Sequence, residues 1–222
     1  MVERLVPDGL WELFQRVVPE APTRPQGGGR PRHGDREVLA AIIFVATTGC
    51  TWAQLPAVCG RLGEHACFQR GDLTGPDPVD RGKKGAKIHL ITDRTGVPIS
   101  MVISGANLHD SQALQPLVRA IPPIRSRRGH RRRKPGRLHG DKGYDYNRPR
   151  RWLRERGIVH RLARKGVESS QRLGRHRWQV ERTMAWPAGC RRLHRRYERK
   201  AEHFLAFADI ACTLICFRRP TK

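Results

Sequence analysis

The sequence predicts a mixed α/β domain preceded by a small helical module, and two observations support this fold class. Apolar residues recur at helical spacing within residues 1–60. From residue 85 onward, short runs rich in β-branched and apolar residues alternate with helical patterns. Such alternation is typical of a sheet with helices packed on its faces. We therefore expect two units, a helical module at 1–60 and an α/β domain at 73–218.

The N-terminal module contains two predicted helices. Asp8 is placed to cap a helix over residues 8–18, and a second helix is expected from 35 to 48, followed by Gly49. A helix-turn-helix DNA reader and an ordinary helical hairpin share this signature, so both interpretations remain open. The stretch 22–34 is rich in Pro, Gly and Arg and predicts a linker.

The α/β domain is expected to begin with a strand hairpin and to continue with alternating helices and strands. The predicted elements are strands 87–92 and 97–104, helix 111–120, strand 137–140, helix 148–156, strand 159–163, and helices 174–192 and 201–217. Asn107, His109 and Asp110 are candidates for lining a site, but Asp110 directly precedes a helical pattern, and a helix cap is the preferred interpretation of this residue.

The charge balance indicates a polyanionic partner. Lys and Arg number 44 against 20 Asp and Glu, a formal net charge of +24, and self-repulsion of that size is usually tolerated where nucleic acid neutralises it. The segment 125–137 holds eight Lys or Arg, among them Arg131, Arg132, Arg133 and Lys134. We expect this segment to be a solvated loop on the nucleic-acid side. An RNA-binding protein and the Arg bias of a GC-rich coding sequence remain as alternatives.

Several function classes are not supported. The six cysteines include no CxxC pair, which is typical of a reduced cytoplasmic protein, and the acidic N-terminus is not a signal peptide. The longest apolar stretch, 204–217, is shorter than the roughly 20 residues that span a bilayer. No phosphate-binding glycine motif is present. We expect a cytoplasmic, nucleoid-associated protein without a membrane partner.

Two short motifs carry candidate chemistry. Asp141 follows a short apolar strand and is flanked by Gly140 and Gly143, so it would lie at the carboxyl end of a sheet, where α/β proteins place ligands. A turn aspartate before a helix is the alternative. Arg177 and Glu181 are four residues apart and share a helix face. Taken alone, they indicate a surface ion pair of about 0.3–0.5 kcal/mol.

Together these motifs resemble a known family. The span 73–217 is similar to the catalytic region of bacterial insertion-sequence transposases of the DDE type, in the insertion-sequence-four/five group. The matching segments are 73–76, 79–82, 85–89, 106–111, 138–145, 177–182, 191–193 and 196–200, and the module through Trp52 also resembles the helical segment that precedes this domain.

The resemblance implies a ribonuclease-H-like fold with acids in the order Asp, Asp, Glu. In this family they hold two divalent ions, Mg²⁺ or Mn²⁺, about 3.5–4 Å apart, for cutting and rejoining DNA. Asp141 matches the second acid and Glu181 the third. Arg177, one turn before the Glu, matches the family's basic residue, and Lys142 and Arg182 are further DNA-binding candidates. The implied partners are transposon terminal inverted repeats and target DNA, with a homo-oligomer left open.

One departure from the family concerns the first acid. The family carries this Asp on the first strand, ahead of the 73–76 segment, and no such motif is present here. The chain between Pro56 and Leu73 is too short for the elements that should intervene, which indicates an internal deletion. Glu64, Asp72 and Asp80 are the available substitutes, but none lies in the expected motif. We therefore expect impaired transposition chemistry, or an inactive DNA-binding remnant that inhibits full-length relatives.

Overall fold

The computed structural model describes residues 1–20, 33–56, 71–125, 129–167, 181–185 and 189–219. Its helices are α1 (Val2–Leu5), α2 (Asp8–Gln15), α3 (Asp35–Thr48), α4 (Asp110–Arg119), α5 (Asn147–Glu155), α6 (residues 181–185) and α7 (Ala201–Arg218). Its strands are β1 (Gly75–Pro76), β2 (Lys84–Thr92), β3 (Pro98–Gly105), β4 (Ile124–Arg125), β5 (Arg131–Arg132), β6 (Arg137–Gly140) and β7 (Val159–Leu162). The mixed α/β class is confirmed. Most of the predicted linker and of the predicted helix 174–192 lies outside the described residues.

The β2–β3 hairpin is closed by a turn that its aspartate organises. The Asp93 Oδ1 atom accepts hydrogen bonds from the backbone N–H groups of Thr95 and Val97, each at 2.8 Å. Gly96 adopts φ 84°, a left-handed conformation that glycine reaches without strain. The two strands pair antiparallel with one irregularity near Thr92. The hairpin predicted from the sequence is therefore closed by an aspartate and a glycine, which are residues that favour tight turns.

A parallel unit follows the hairpin. Strands β6 and β7 pair in parallel, which requires a crossover, and α5 provides it. Helix α4 packs against both this unit and the hairpin, so that one hydrophobic cluster joins them. Its fully buried members are Ile91, Leu114, Leu117, Val118, Ile121, Leu138, Leu153, Ile158 and Leu162.

The sheet is not continuous across this core. Strand β2 pairs with β3 along its length and with β1 only at Lys84 and Gly85. Strand β6 pairs with β7. Among the described residues, no strand pairs with both β2 and β6, and the edge of β2 from Ala86 onward on the β1 side has no strand partner. The two sheets are therefore held together by α4 and side chains and not by a backbone ladder.

The first and last helices share a second core. Leu214 of α7 is buried in one cluster with Val6, Leu10 and Ile43. Arg36 connects α3 to the segment after α1, because its guanidinium donates to the backbone oxygen of Val6 at 2.8 Å. The N-terminal helices thus pack against the C-terminal helix as well as against one another.

Asp8 does not cap α2 as the sequence predicted. Pro7 occupies the cap position, and Asp8 is the first helical residue. Its carboxylate instead lies 2.7 Å from the Arg36 guanidinium. A partner 28 positions away in the sequence has replaced the local hydrogen bond, and α2 ends at Gln15, earlier than expected.

Gly49 ends α3 as predicted, with φ 72°. After it, Trp52–Gln54 forms a 3₁₀ turn, and residues 57–70 lie outside the description. A helix that would complete a helix-turn-helix is therefore not among the described residues. None of the described helices is long and apolar enough to cross a bilayer.

A buried ion pair connects the C-terminal segment to α3. Arg192 and Glu198 are 4% and 8% exposed, and the Arg192 Nε atom donates to the Glu198 carboxylate at 2.9 Å. The same guanidinium contacts the backbone oxygen of Cys50 and lies over the ring of Tyr197, 4.2 Å from its centroid. Removing one partner of such a pair is costly, because the other charge would stay buried and unpaired.

The shared core predicts that truncating Ile43 destabilises the N-terminal helices and α7 together. Ile43 is 1% exposed, so Ile43→Ala should lower the free energy of unfolding by about 2–5 kcal/mol. Urea denaturation followed by circular dichroism measures this, with Val17→Ala, at a residue 74% exposed, as the control. Two separate transitions in the variant, with the second unshifted, would contradict a shared core.

Candidate active site around Asp141

Asp141 lies at the carboxyl end of β6, the position that the sequence predicted. It also caps the 3₁₀ turn Lys142–Tyr144, because its Oδ1 atom accepts a hydrogen bond from the backbone N–H of Gly143 at 2.9 Å. The side chain is exposed. The structural role that the sequence left open as an alternative is therefore present, and it is compatible with a solvent-facing carboxylate.

A second carboxylate approaches Asp141 across Gly143. A Cβ atom built on Gly143 would lie 3.1 Å from the Oδ1 atom of Asp141 and 3.3 Å from the Oδ2 atom of Asp110. The two oxygens therefore flank one point, and their separation cannot exceed the sum of these distances. A side chain at position 143 would crowd both oxygens, so glycine leaves room for them to lie on either side of the backbone.

Asp110 is not a helix cap, which corrects the preferred interpretation of the sequence. The cap of α4 is His109, whose side chain accepts from the backbone N–H of Ser111. Asp110 instead forms an ion pair with Lys87 at 3.1 Å, and the same ammonium donates to the backbone oxygen of Leu108. The ammonium offsets the repulsion between the Asp110 and Asp141 carboxylates.

Two neutral groups lie beneath the carboxylates. The imidazole of His89 is 5% exposed and lies 2.8 Å from the Ser104 hydroxyl and 3.4 Å from the Tyr144 hydroxyl. Burial lowers the pKa of His89. Burial, followed by the charges of Asp141 and Asp110, raises the pKa of the Tyr144 phenol. Both groups therefore remain uncharged at neutral pH.

Asp145 orders the chain that leaves the site. Its Oδ1 atom accepts from Arg150 Nε at 2.9 Å, and its Oδ2 atom accepts from the backbone N–H of Lys165 at 2.7 Å. The hydrogen bond from Lys165, followed by that from Arg150, lowers the pKa of Asp145. This carboxylate thus joins the start of α5 to the segment after β7.

Helix α6, which carries Glu181, contacts the turn of the β2–β3 hairpin. The residues after Glu181 contact the turn of the β2–β3 hairpin: Arg182 donates to the backbone oxygen of Thr95 at 2.8 Å, and the Thr183 hydroxyl donates to that of Gly96 at 2.7 Å. Lys87, which holds Asp110, lies toward the opposite end of β2. The contacts therefore bring Asp141 together with Asp110 and place the start of α6 at the far end of the hairpin.

The predicted DNA-binding residues fall in several places. Lys142 follows Asp141, Arg182 lies at the hairpin turn, and Arg177 lies outside the described residues. The exposed basic residues Arg131, Arg132, Arg133 and Lys134 precede β6, at the end of that strand opposite to Asp141. Part of this segment, expected to be a loop, pairs as the short strands β4 and β5.

The described side chains do not fit a pair of divalent ions. Within the described ranges, no group of three or more His, Cys, Asp or Glu residues could hold a metal ion. Two carboxylates converge, and one of them, Asp110, is already paired with the Lys87 ammonium. Two Mg²⁺ ions need more oxygen ligands from the protein than this pair provides.

Comparisons with known proteins decide the family. Residues 66–216 match the family model "Transposase DDE domain", and residues 6–70 match "Putative transposase of IS4/5 family". The chain belongs to the DDE transposase family.

Curated relatives of this transposase come from one insertion sequence. The chain is 46% identical over 144 residues, covering 65% of this chain and 68% of the relative, to the "Putative transposase for insertion sequence element IS402" of Burkholderia cepacia. It is 34% identical over 71 residues to the "Insertion element IS402 uncharacterized 16.2 kDa protein" of the same organism, covering 32% of this chain and 48% of that relative. No solved structure matches. The resemblance inferred from the sequence is confirmed.

The lowered pKa of Asp145 predicts acid-sensitive stability. Because the folded pKa lies below the ordinary value of 3.8, the carboxylate stabilises the protein above that pH, and this contribution is lost as the pH falls through the folded pKa. We expect Asp145→Asn to be less stable near neutral pH and the difference from the unmodified protein to shrink below pH 3.8.

Urea denaturation across this pH range tests the expectation. Asp80→Asn, which removes an exposed ion pair with Lys83, is the matched control and should change stability little at any pH. A difference for Asp145→Asn that stays constant through the acid range would count against the assignment.

Proposed function

We propose that this transposase binds DNA at insertion-sequence ends and has impaired cleavage and strand-transfer chemistry. The observation that carries this proposal is the site itself: among the described residues, the carboxylate that approaches Asp141 across Gly143 is Asp110, and Lys87 already forms an ion pair with it. Asp141 and Glu181 are proposed as the remaining members of the family's acidic set, with Mg²⁺ or Mn²⁺ as the ion that an intact member would use.

The proposed cause is the loss of the first strand of a ribonuclease-H-like domain at 73–218. Two features support it. The sequence lacks the first acidic motif, and among the described residues no strand bridges β2 and β6. A central strand that carried the first Asp would supply both the missing ladder and the missing ligand.

DNA is the proposed partner, both as terminal inverted repeats and as target DNA. The net charge of +24 favours binding to a polyanion, and the exposed residues Arg131–Lys134, together with Lys142, Arg177 and Arg182, are proposed to contact phosphates. The helical module at 1–60 is proposed to assist this binding. A homo-oligomer and a nucleoid location belong to the same proposal.

A second candidate function is inhibition of full-length relatives. It is favoured by the survival of both hydrophobic cores next to a site whose described residues lack a three-ligand set. A folded protein that occupies insertion-sequence ends without cutting them would compete with an active transposase.

DNA binding without cleavage is the expected outcome of a direct assay. A labelled duplex carrying the inverted repeats that flank the coding region should bind with an affinity that falls steeply as salt increases. Incubation with Mg²⁺ or Mn²⁺ should give no nicked product. Cleavage that disappears in Asp141→Ala would refute the impairment, and stronger binding to RNA than to duplex DNA would refute the substrate.

Restoring the missing segment should restore chemistry. In a chimera, the part of the IS402 relative that precedes its counterpart of Leu73–Pro76 is inserted ahead of Asp72. We expect metal-dependent nicking of the same duplex and a higher unfolding temperature, because a central strand adds backbone pairing and core burial. The chimera with Asp141→Ala is the control and should be stabilised but inactive. A chimera that gains neither property would refute the missing-strand explanation.

A further inference from the structure

Three exposed side chains from separate segments meet beside the carboxylates: His109, Tyr146 and Lys165, here called the donor cluster. The Tyr146 hydroxyl lies 2.9 Å from His109 Nε2 and 2.9 Å from Lys165 Nζ. The His109 and Tyr146 rings meet edge to face, with centroids 4.7 Å apart. His109 directly precedes Asp110, which places the cluster next to the carboxylate pair.

The hydrogen-bond directions within the donor cluster are determined by Ser111. Its backbone N–H lies 3.2 Å from His109 Nδ1 and can only donate, so Nδ1 is the acceptor and Nε2 carries the ring hydrogen. Nε2 therefore donates to the Tyr146 oxygen, and the Lys165 ammonium donates to the same atom. The hydroxyl hydrogen of Tyr146 has no acceptor within the cluster and is available to a ligand.

The backbone beneath the cluster is held in place before any ligand binds. Asp145 accepts the backbone N–H of Lys165 and the side chain of Arg150, so the segments that carry Tyr146 and Lys165 are joined. Tyr146 is nevertheless 40% exposed. The site is thus ordered and open to solvent.

We propose that the donor cluster binds a phosphate of the DNA backbone adjacent to Asp141, an inference that rests on the proposed DNA-binding function. The cluster offers a phenol hydrogen and ammonium hydrogens on one side of an exposed ring, and phosphate oxygens accept such hydrogen bonds, most strongly from a charged donor. The Asp141 carboxylate repels a DNA strand that approaches it, so a local cation such as Lys165 favours binding beside it. Tyr146 and Lys165 are therefore assigned as positioning residues for the strand.

Binding of a labelled duplex, measured by fluorescence anisotropy over a range of salt concentrations, tests the assignment with the full chain. Tyr146→Phe keeps the ring and the charge, and it should weaken binding about two- to tenfold because one hydrogen bond is lost. Tyr197→Phe, at a tyrosine that packs on Arg192, is the matched control and should bind normally. Circular dichroism verifies that both variants fold.

The charge is tested separately from the hydroxyl. Lys165→Gln should reduce the slope of log affinity against log salt by about 1, the value for one phosphate contact. Lys200→Gln, which removes an exposed charge at the start of α7, should leave that slope nearly unchanged. If both substitutions match their controls while the unmodified chain binds DNA, the cluster assignment is overturned and the proposed function stands. If the unmodified chain does not bind DNA, the proposed function is refuted, and the cluster assignment is refuted with it.

Discussion

The close approach of two carboxylates across Gly143 is the constraint on which the site depends. Asp110 begins α4, and Asp141 ends β6, so their approach joins the helix on the hairpin to the parallel unit. The bare backbone of Gly143 permits it sterically, and Lys87 permits it electrostatically. With a side chain at position 143, both carboxylate oxygens would have to shift by a few tenths of an ångström.

The two carboxylates also affect the pKa values of the groups beneath them. Tyr144 lies under both carboxylates, and their charge adds to burial in keeping its phenol protonated. His89 is kept neutral chiefly by burial, although Asp110 acts in the opposite direction. The groups beneath the carboxylates are therefore uncharged at neutral pH.

Much of the α/β domain was predictable, because its elements follow from local patterns. Strand β6 was predicted with its observed bounds, α5 differs by one residue at each end and β7 by one residue at its end, since apolar periodicity and turn residues are local signals. The mistakes concern Asp8 and Asp110, both predicted as helix caps. Each forms an ion pair instead, with Arg36 and Lys87.

Sequence position alone could not reveal those pairings, because both partners are more than twenty residues away. The segment that contains Asp110 belongs to the family resemblance, which favours a role for His109 and Asp110 in the site. The position of Asp110 just before a helix favours a capping role, and only the fold distinguishes the two. The approach to Asp141 depends on a glycine 33 positions further on, which only the fold brings near.

Two of the hydrophobic clusters show how packing of helices stabilises the described part of the chain. One cluster is formed by α4 and α5 with side chains from β2, β6 and β7, and the other joins the N-terminal helices to α7. Across the two clusters, most of the buried side chains come from helices, and Ile91, Leu138 and Leu162 come from strands that pair with a neighbour. Among the described residues, the packing of α4 joins β2 and β6, and no backbone ladder connects these two strands. Under the proposed loss of the first strand, helix packing would preserve the folded domain, whereas the first carboxylate of the family's acidic set would be lost together with that strand.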